Sequence, residues 1–167
     1  MRRNFTFAAF VLGAVALAAP TTGHAQTVHA TLSSHHEVPA LSTPGSGSFK
    51  AKVDVAAGTI HWELQYTGLE ADALQSHIHF GQPAVNGGVS AFLCTNLGNG
   101  PAGTPACPLR SGALSGVITA ATVVGPAVQG IGPGEFAALA AAILDETAYV
   151  NVHSVSWPGG EIRGQIR

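Results

Sequence analysis

The chain has 167 residues and a formal net charge of −2, and 46% of its residues are hydrophobic while 10% are charged. A chain of this length is expected to form one main domain with a core of its own. Its Lys and Arg residues are too few to cluster as nucleic-acid binding requires, so no nucleic acid is expected as a partner.

The N-terminus has the layout of a secretory signal peptide. Arg2 and Arg3 precede an apolar run over residues 5–19, and the small-residue exit Gly23-His24-Ala25 follows. This order of charge, apolar segment and small-x-Ala sequence predicts cleavage after Ala25. The apolar run is short for a membrane span, which takes about 20 residues. An uncleaved N-terminal anchor is the alternative.

These features divide the chain into a signal peptide, residues 1–25, and one domain, residues 26–167. The mature chain is expected to be periplasmic or secreted, with no membrane span after cleavage. Loss of the two N-terminal arginines leaves five Lys and Arg against nine Asp and Glu, a formal charge of −4.

Alternating apolar and polar residues, separated by Gly and Pro turns, predict antiparallel strands along most of the domain. The predicted strands are Val28–Ser34, Phe49–Val55, Ile60–Tyr66, Leu74–Phe80, Gly87–Cys94, Gly112–Ile118, Ala148–Ser154 and Glu161–Arg167. Apolar residues at helical spacing predict one short amphipathic helix over Glu135–Glu146. The pattern indicates a mostly β fold, an antiparallel Greek-key β-sandwich with one short helix.

Cys94 and Cys107 are the two cysteines of the chain. An even pair in an exported protein predicts a disulfide bond. The residues between them are rich in Gly, Pro and Asn, so the bridge would close a surface loop. A metal-binding pair is the alternative, which the long spacing and the lack of a neighbouring His make less favoured.

The placement of histidines is the most informative feature of the sequence. His77 and His79 are two residues apart in a predicted strand, so both imidazoles lie on the face opposite Ile78. His153 lies on the polar face of a later strand. If the two strands are neighbours, three imidazoles meet on the outer surface of one sheet. Such a set suits copper, with zinc less favoured by intrinsic affinity, and leaves a coordination position open.

Other histidines and charged residues give weaker signals. His35 and His36, in a loop, and His61, on a polar strand face, are additional candidate ligands. No motif for nucleophilic or phosphate chemistry is present, so no catalytic residue is assigned. Glu161 and Arg163, two residues apart, are predicted to form a surface ion pair.

Four motifs in fixed order carry a resemblance to a known family. They are Glu37-Val38-Pro39, residues 76–81, residues 148–154 and residues 158–166, which includes Pro-Gly-Gly-Glu-Ile-Arg-Gly-Gln-Ile. Together they resemble the CHRD domain, named from chordin, over about residues 28–167. The resemblance implies an extracytoplasmic β-sandwich of immunoglobulin-like or superoxide-dismutase-like type. It also favours a binding module, because in chordin the domain belongs to a secreted binding protein.

The His-x-His strand and the later Val-x-His strand are also similar to the copper-ligand pattern of Cu/Zn superoxide dismutases. The similarity implies that His77, His79 and His153 take the corresponding ligand positions. The sequence departs from that pattern, since neither a bridging His in the following loop nor an Asp/His zinc subsite is evident.

Three functions follow from these observations. The leading hypothesis is an exported CHRD-domain protein that binds a transition metal, copper above all, for copper binding or handling. The second is a metal-free structural or adhesive module that engages an envelope or extracellular protein. The third is a redox enzyme of dismutase type, so enzymatic activity stays open and, if present, would be that of a copper-dependent oxidoreductase.

Overall fold

Strands make up most of the regular structure of the computed structural model, which describes residues 24–167. The strands are β1 (Gln26–Ser33), β2 (Ser46–Asp54), β3 (Thr59–Thr67), β4 (Ala73–Phe80), β5 (Gly88–Thr95), β6 (Gly112–Ile118), β7 (Ala148–Ser154) and β8 (Ile162–Gln165). The single α-helix of this part of the chain is α1 (Phe136–Leu144), as the sequence predicts. The predicted signal peptide lies outside the described residues, apart from its last two. No helix in residues 24–167 has the length and apolarity that a membrane crossing requires.

All eight strands belong to one antiparallel sheet, in the order β5-β4-β7-β8-β1-β2-β3-β6. The sheet curls until it is nearly a barrel. An isolated bridge between Ala91 of β5 and Val123, which follows β6, links the two ends of the sheet. The predicted class, mostly antiparallel β with one short helix, is confirmed. The two layers expected of a sandwich are walls of one continuous sheet.

The core follows from the two-residue period of the strands. In β3, alternate residues such as Ile60, Trp62 and Leu64 are buried, while His61 and Glu63 between them are exposed. Full burial of one such apolar side chain contributes roughly 1.5–3 kcal/mol. The helix adds its own apolar face to the same core; its buried residues are Phe136, Leu139, Ala140, Ala142 and Ile143.

The two cysteines lie at disulfide distance, with their Cα atoms 5.0 Å apart. Cys94 belongs to β5, and Cys107 lies in the connection from β5 to β6, the two ends of the sheet order. Asn96 fastens the same loop, because its side chain donates to the Ala73 and Cys107 carbonyls and accepts from the Cys107 N–H. The long connection is therefore held close to the sheet.

Replacing Cys94 and Cys107 together by Ala should lower the free energy of unfolding by about 3 kcal/mol, because the unfolded chain regains the entropy of the closed loop. Urea unfolding followed by circular dichroism measures this loss. A reducing agent should destabilise the native chain by a similar amount and leave the double variant unchanged. Equal stability of the native chain with and without reductant would contradict the prediction.

Candidate metal centre

The pairing of β4 with β7 brings together the three histidines that the sequence predicts as metal ligands. In this antiparallel pair His77 lies opposite Asn151, and His79 lies opposite Tyr149. His153 follows Asn151 by two residues on β7 and therefore shares its face. Side chains at directly opposite and diagonal positions of such a pair are within contact reach. The sheet thus assembles the cluster from residues more than seventy positions apart in the chain.

The three imidazoles form a compact group. The ring centroid of His77 lies 5.3 Å from that of His79 and 5.0 Å from that of His153. The centroids of His79 and His153 are 6.0 Å apart. One ligand atom from each residue can be chosen so that all three lie within 4.8 Å of one another. No other group of this kind, built from His, Cys, Asp or Glu, occurs in residues 24–167.

The histidines occupy the expected face but not an open surface. Ile78, between His77 and His79, is fully buried in the core, so the imidazoles point to the other side of the sheet. The expectation of exposure is wrong, because His77, His79 and His153 are only 2%, 7% and 6% exposed. Loops and neighbouring side chains cover them, among them Phe92, whose ring contacts His77 edge-on at 4.4 Å.

Backbone carbonyls determine which ring nitrogens carry protons. Nδ1 of His79 lies 3.0 Å from the Gly87 oxygen, and Nδ1 of His153 lies 2.9 Å from the Pro158 oxygen. A carbonyl only accepts, so both Nδ1 atoms donate, and in the neutral rings both Nε2 atoms carry a lone pair. Nδ1 of His77 lies 3.2 Å from Nε2 of His153 and donates to it. This leaves Nε2 of His77 unprotonated as well.

Burial keeps the cluster neutral. Burial, followed by repulsion from His153 and His79, lowers the pKa of His77 to about 2. Burial also lowers the pKa of His79 to about 4, against the opposing effect of the Gly87 carbonyl, and lowers the pKa of His153. Nε2 of His77 and Nε2 of His79 are buried without any hydrogen-bond partner. The site therefore presents unprotonated nitrogen atoms with nothing bound to them, as metal ligation requires.

A stack of aromatic and cationic groups supports His79. Its ring is parallel to that of Tyr149, with 4.8 Å between the two centroids. The Arg163 guanidinium lies over the Tyr149 ring, 3.4 Å from its centroid. Arg163 also donates to the Asn86 side chain and to the Gln82 and Val85 carbonyls. It therefore holds the 81–87 loop, which supplies the carbonyl that orients His79.

The predicted surface ion pair between Glu161 and Arg163 is wrong. Both residues are buried, at 0% and 2% exposure, and the ion pairs found in residues 24–167 do not include it. Glu161 instead accepts the Glu70 backbone N–H at 2.8 Å. The alternation of β8 predicts a polar face that is exposed to solvent, but loops that are distant in sequence cover this face.

Glu37, from the first of the four sequence motifs, is buried beside Asn151, a position that the sequence did not predict. Burial raises its pKa to about 7, although the nearby Arg163 charge opposes the shift. Its Oε1 atom is buried without a hydrogen-bond partner. Asn151 adjoins it, since a Cβ atom built on Gly160 would lie 2.5 Å from Glu37 Oε1 and 2.8 Å from Asn151 Nδ2.

The additional candidate ligands stay outside the cluster. His35 and His36 are exposed in the turn after β1, and His61 is exposed on β3. None of them belongs to the group of nitrogen atoms within metal-binding distance. An open groove of about 550 Å³ is lined by His35 and His36, among others, but by none of the three cluster histidines.

The family-model comparison identifies the domain. The CHRD domain model matches residues 28–166. The chain therefore belongs to the CHRD domain family, an antiparallel β domain that here contains a buried three-histidine cluster. Searches of curated proteins and of solved structures found no match. The similarity of the histidine pattern to Cu/Zn superoxide dismutases stays a sequence-based prediction.

Acidification should destabilise the metal-free protein. Folding lowers the pKa values of His77, His79 and His153 from 6.5, so the unfolded chain binds more protons as the pH falls below 6.5. Glu37 acts in the opposite sense between its ordinary 4.5 and about 7, because there the folded state retains the proton. Near pH 5.5 the uptake by His77 and His79 exceeds the release by Glu37 by about one proton, and His153 adds to the uptake, so unfolding should take up at least about one proton net; the slope of unfolding free energy against pH measures this number.

Two variants separate these contributions. His77→Leu should make the slope shallower by about one proton, because it removes a group that takes up a proton on unfolding. Glu37→Gln should make the slope steeper by a similar amount, because it removes a group that releases a proton on unfolding. Urea titrations at pH 7, 6 and 5 in the presence of a chelator give the slopes. Identical slopes for the native chain and both variants would contradict the assignment of these groups.

Adjacent glycines offer a matched test of the packing over the cluster. Gly160 has φ +129°, and its added Cβ would collide with Glu37 and Asn151, whereas a Cβ on Gly159 meets nothing within 4 Å. Gly160→Ala should lower the unfolding free energy by roughly 1–3 kcal/mol through strain and overpacking, and Gly159→Ala by less than about 0.5 kcal/mol. Equal losses of unfolding free energy for the two variants, measured by urea unfolding, would contradict the prediction that Gly160 is tightly packed against Glu37 and Asn151.

Proposed function

We propose that this chain is an exported CHRD-domain protein that binds copper through His77, His79 and His153 and serves in copper binding or handling. The observation that carries the proposal is the cluster itself, with ligand atoms within 4.8 Å of one another and buried nitrogen lone pairs without partners. The signal-like N-terminus and the cysteine pair at disulfide distance support the exported location.

The donor set fits a borderline transition metal. Imidazole nitrogen atoms bind such ions at about 2.0–2.1 Å, which places the nitrogens of a tetrahedral site roughly 3.3 Å apart. Separations of up to 4.8 Å in this structure must therefore shorten by as much as roughly 1.5 Å on binding. Neutral imidazoles favour Cu(II) over Zn(II) by intrinsic affinity.

The surroundings of the site also resemble those of metal ligands. A ligating imidazole donates its second ring nitrogen to a carbonyl or carboxylate, which fixes the tautomer and raises ligand basicity. The Gly87 and Pro158 carbonyls do this for His79 and His153. Nε2 of His153 has one lone pair, so a metal would displace the hydrogen bond that it accepts from His77.

Burial favours retention of an ion over rapid turnover. All three histidines are at least nine-tenths buried, and Arg163, Tyr149 and the 81–87 loop lie over one side of the cluster. A substrate would have to pass this cover to reach the metal. We therefore place copper binding or handling before redox catalysis.

The test is copper binding by the native chain and single histidine variants. The native protein should bind one Cu(II) per chain, with nitrogen hyperfine structure in its electron paramagnetic resonance (EPR) spectrum. His77→Ala, His79→Ala and His153→Ala should each weaken binding by more than the roughly 10- to 100-fold that loss of an outer-shell partner causes. Bound copper should also raise the melting temperature, since it binds the folded state alone.

His61→Ala is the matched control, because this imidazole is exposed on β3 and lies outside the cluster. Circular dichroism verifies that each variant is folded. Copper content that is unchanged in all three cluster variants, or reduced equally by the control, would overturn the proposal. A native chain that binds neither copper nor zinc would leave the metal-free binding module as the better explanation.

A further inference from the structure

Asn151 shares the outer face of the β4–β7 pair with the three histidines. It lies directly opposite His77 in the β4–β7 pair, next to the position opposite His79, and two residues before His153 on the same strand. Its side chain is on the imidazole face, because Val150 and Val152 on either side are fully buried in the core. With 3% exposure, it has almost no contact with solvent.

The carboxamide of Asn151 has a definite orientation. Its Nδ2 atom is next to the Glu37 carboxyl, where both atoms crowd the space above Gly160. Nδ2 rather than Oδ1 is the carboxamide atom nearest this point, so the Asn151 oxygen lies on the side of the carboxamide away from Glu37.

The oxygen of this carboxamide lacks a donor. Oδ1 of Asn151 is buried without a hydrogen-bond partner, which costs about 1–3 kcal/mol when nothing compensates it. The neighbouring imidazoles do not supply a proton, because His79 and His153 donate through Nδ1 to carbonyls and His77 donates to His153. This face of the sheet thus carries one amide oxygen and two imidazole nitrogens that are buried without partners, and a cation bound between them would satisfy all three.

We propose that Asn151 supplies the fourth donor of the metal site through its carboxamide oxygen, which gives a set of three imidazole nitrogens and one oxygen. This inference rests on the proposed copper site and adds to it a residue with no signal in the sequence. A neutral oxygen ligand leaves the charge of the ion uncompensated by the protein. The site therefore favours a cation that binds strongly to neutral donors, as Cu(II) does.

The experiment measures the contact between copper and the Asn151 side chain directly. Native protein labelled with ¹³C at the side-chain carbonyl of asparagine is loaded with one equivalent of Cu(II) and studied by pulsed EPR. A ligating carboxamide should give a ¹³C hyperfine coupling that disappears in labelled Asn151→Asp and Asn151→Leu. The Leu variant should also bind Cu(II) roughly 10-fold more weakly or worse, a loss at least comparable with that of an outer-shell partner.

Gln75→Leu is the matched control. Gln75 lies on the same face of β4, opposite His153, but its carboxamide oxygen already accepts a hydrogen bond from Asn99 at 3.1 Å. This variant should retain the native ¹³C coupling and copper affinity. The Asp variant keeps both the size of the side chain and an oxygen donor, so copper binding that is retained in it but weakened in the Leu variant separates loss of the donor from loss of the fold.

The outcomes distinguish this inference from the proposed function. If copper binds with imidazole couplings but without a ¹³C coupling, and the Asn151 variants keep the native spectrum, Asn151 is not a ligand while the three-histidine site stands. A coupling that survives in Asn151→Leu has the same meaning. If the native chain binds no copper, the proposed function itself fails.

Discussion

The register between β4 and β7 is the constraint on which the candidate site depends. A shift by one residue would turn every side chain of a strand to its other face. The core prevents this shift, because Ile78 of β4 and Val150 and Val152 of β7 are fully buried on the inner side. Hydrophobic burial on one face of the sheet therefore positions His77 and its polar neighbours on the other.

The outer face of these strands is a second, polar interior. Its imidazoles, carboxamide and guanidinium are covered by the 81–87 loop and by the segment around Pro158. Buried polar groups are stable only when their hydrogen bonds are made. Several atoms of this layer lack such partners, including the free nitrogens of His77 and His79. The layer is thus incompletely satisfied by the protein, and the proposed cation would supply the missing partners.

Most of the secondary structure could be predicted from sequence because it depends on local periodicity. The alternation in β3 and the helical spacing in α1 correspond to elements of the structure with boundaries close to those expected. The i, i+2 spacing of His77 and His79 likewise determined their common face. Their meeting with His153 depends on strand order, which periodicity does not encode.

The environment of the site was beyond sequence reasoning for the same reason. Loops far along the chain bury the imidazoles, and they convert Arg163 from an expected surface residue into a buried one. Asn151 gave no signal, since a single Asn in a strand is common. Glu37 belonged to a recognised motif, but its contact with Asn151 requires the turn after β1 to lie against β7. Long-range packing, which a single sequence does not specify, carries this information.

The connections before and after β6 also have a consequence for association between molecules. The outward backbone groups of β5 are partly occupied, since the Val124 N–H donates to the Ser90 carbonyl and the Thr95 N–H donates to the Pro105 carbonyl. An open strand edge is a template on which a second chain can add a strand, and coverage by a loop removes that template. The covered edge of β5 therefore protects the sheet from intermolecular strand addition and aggregation.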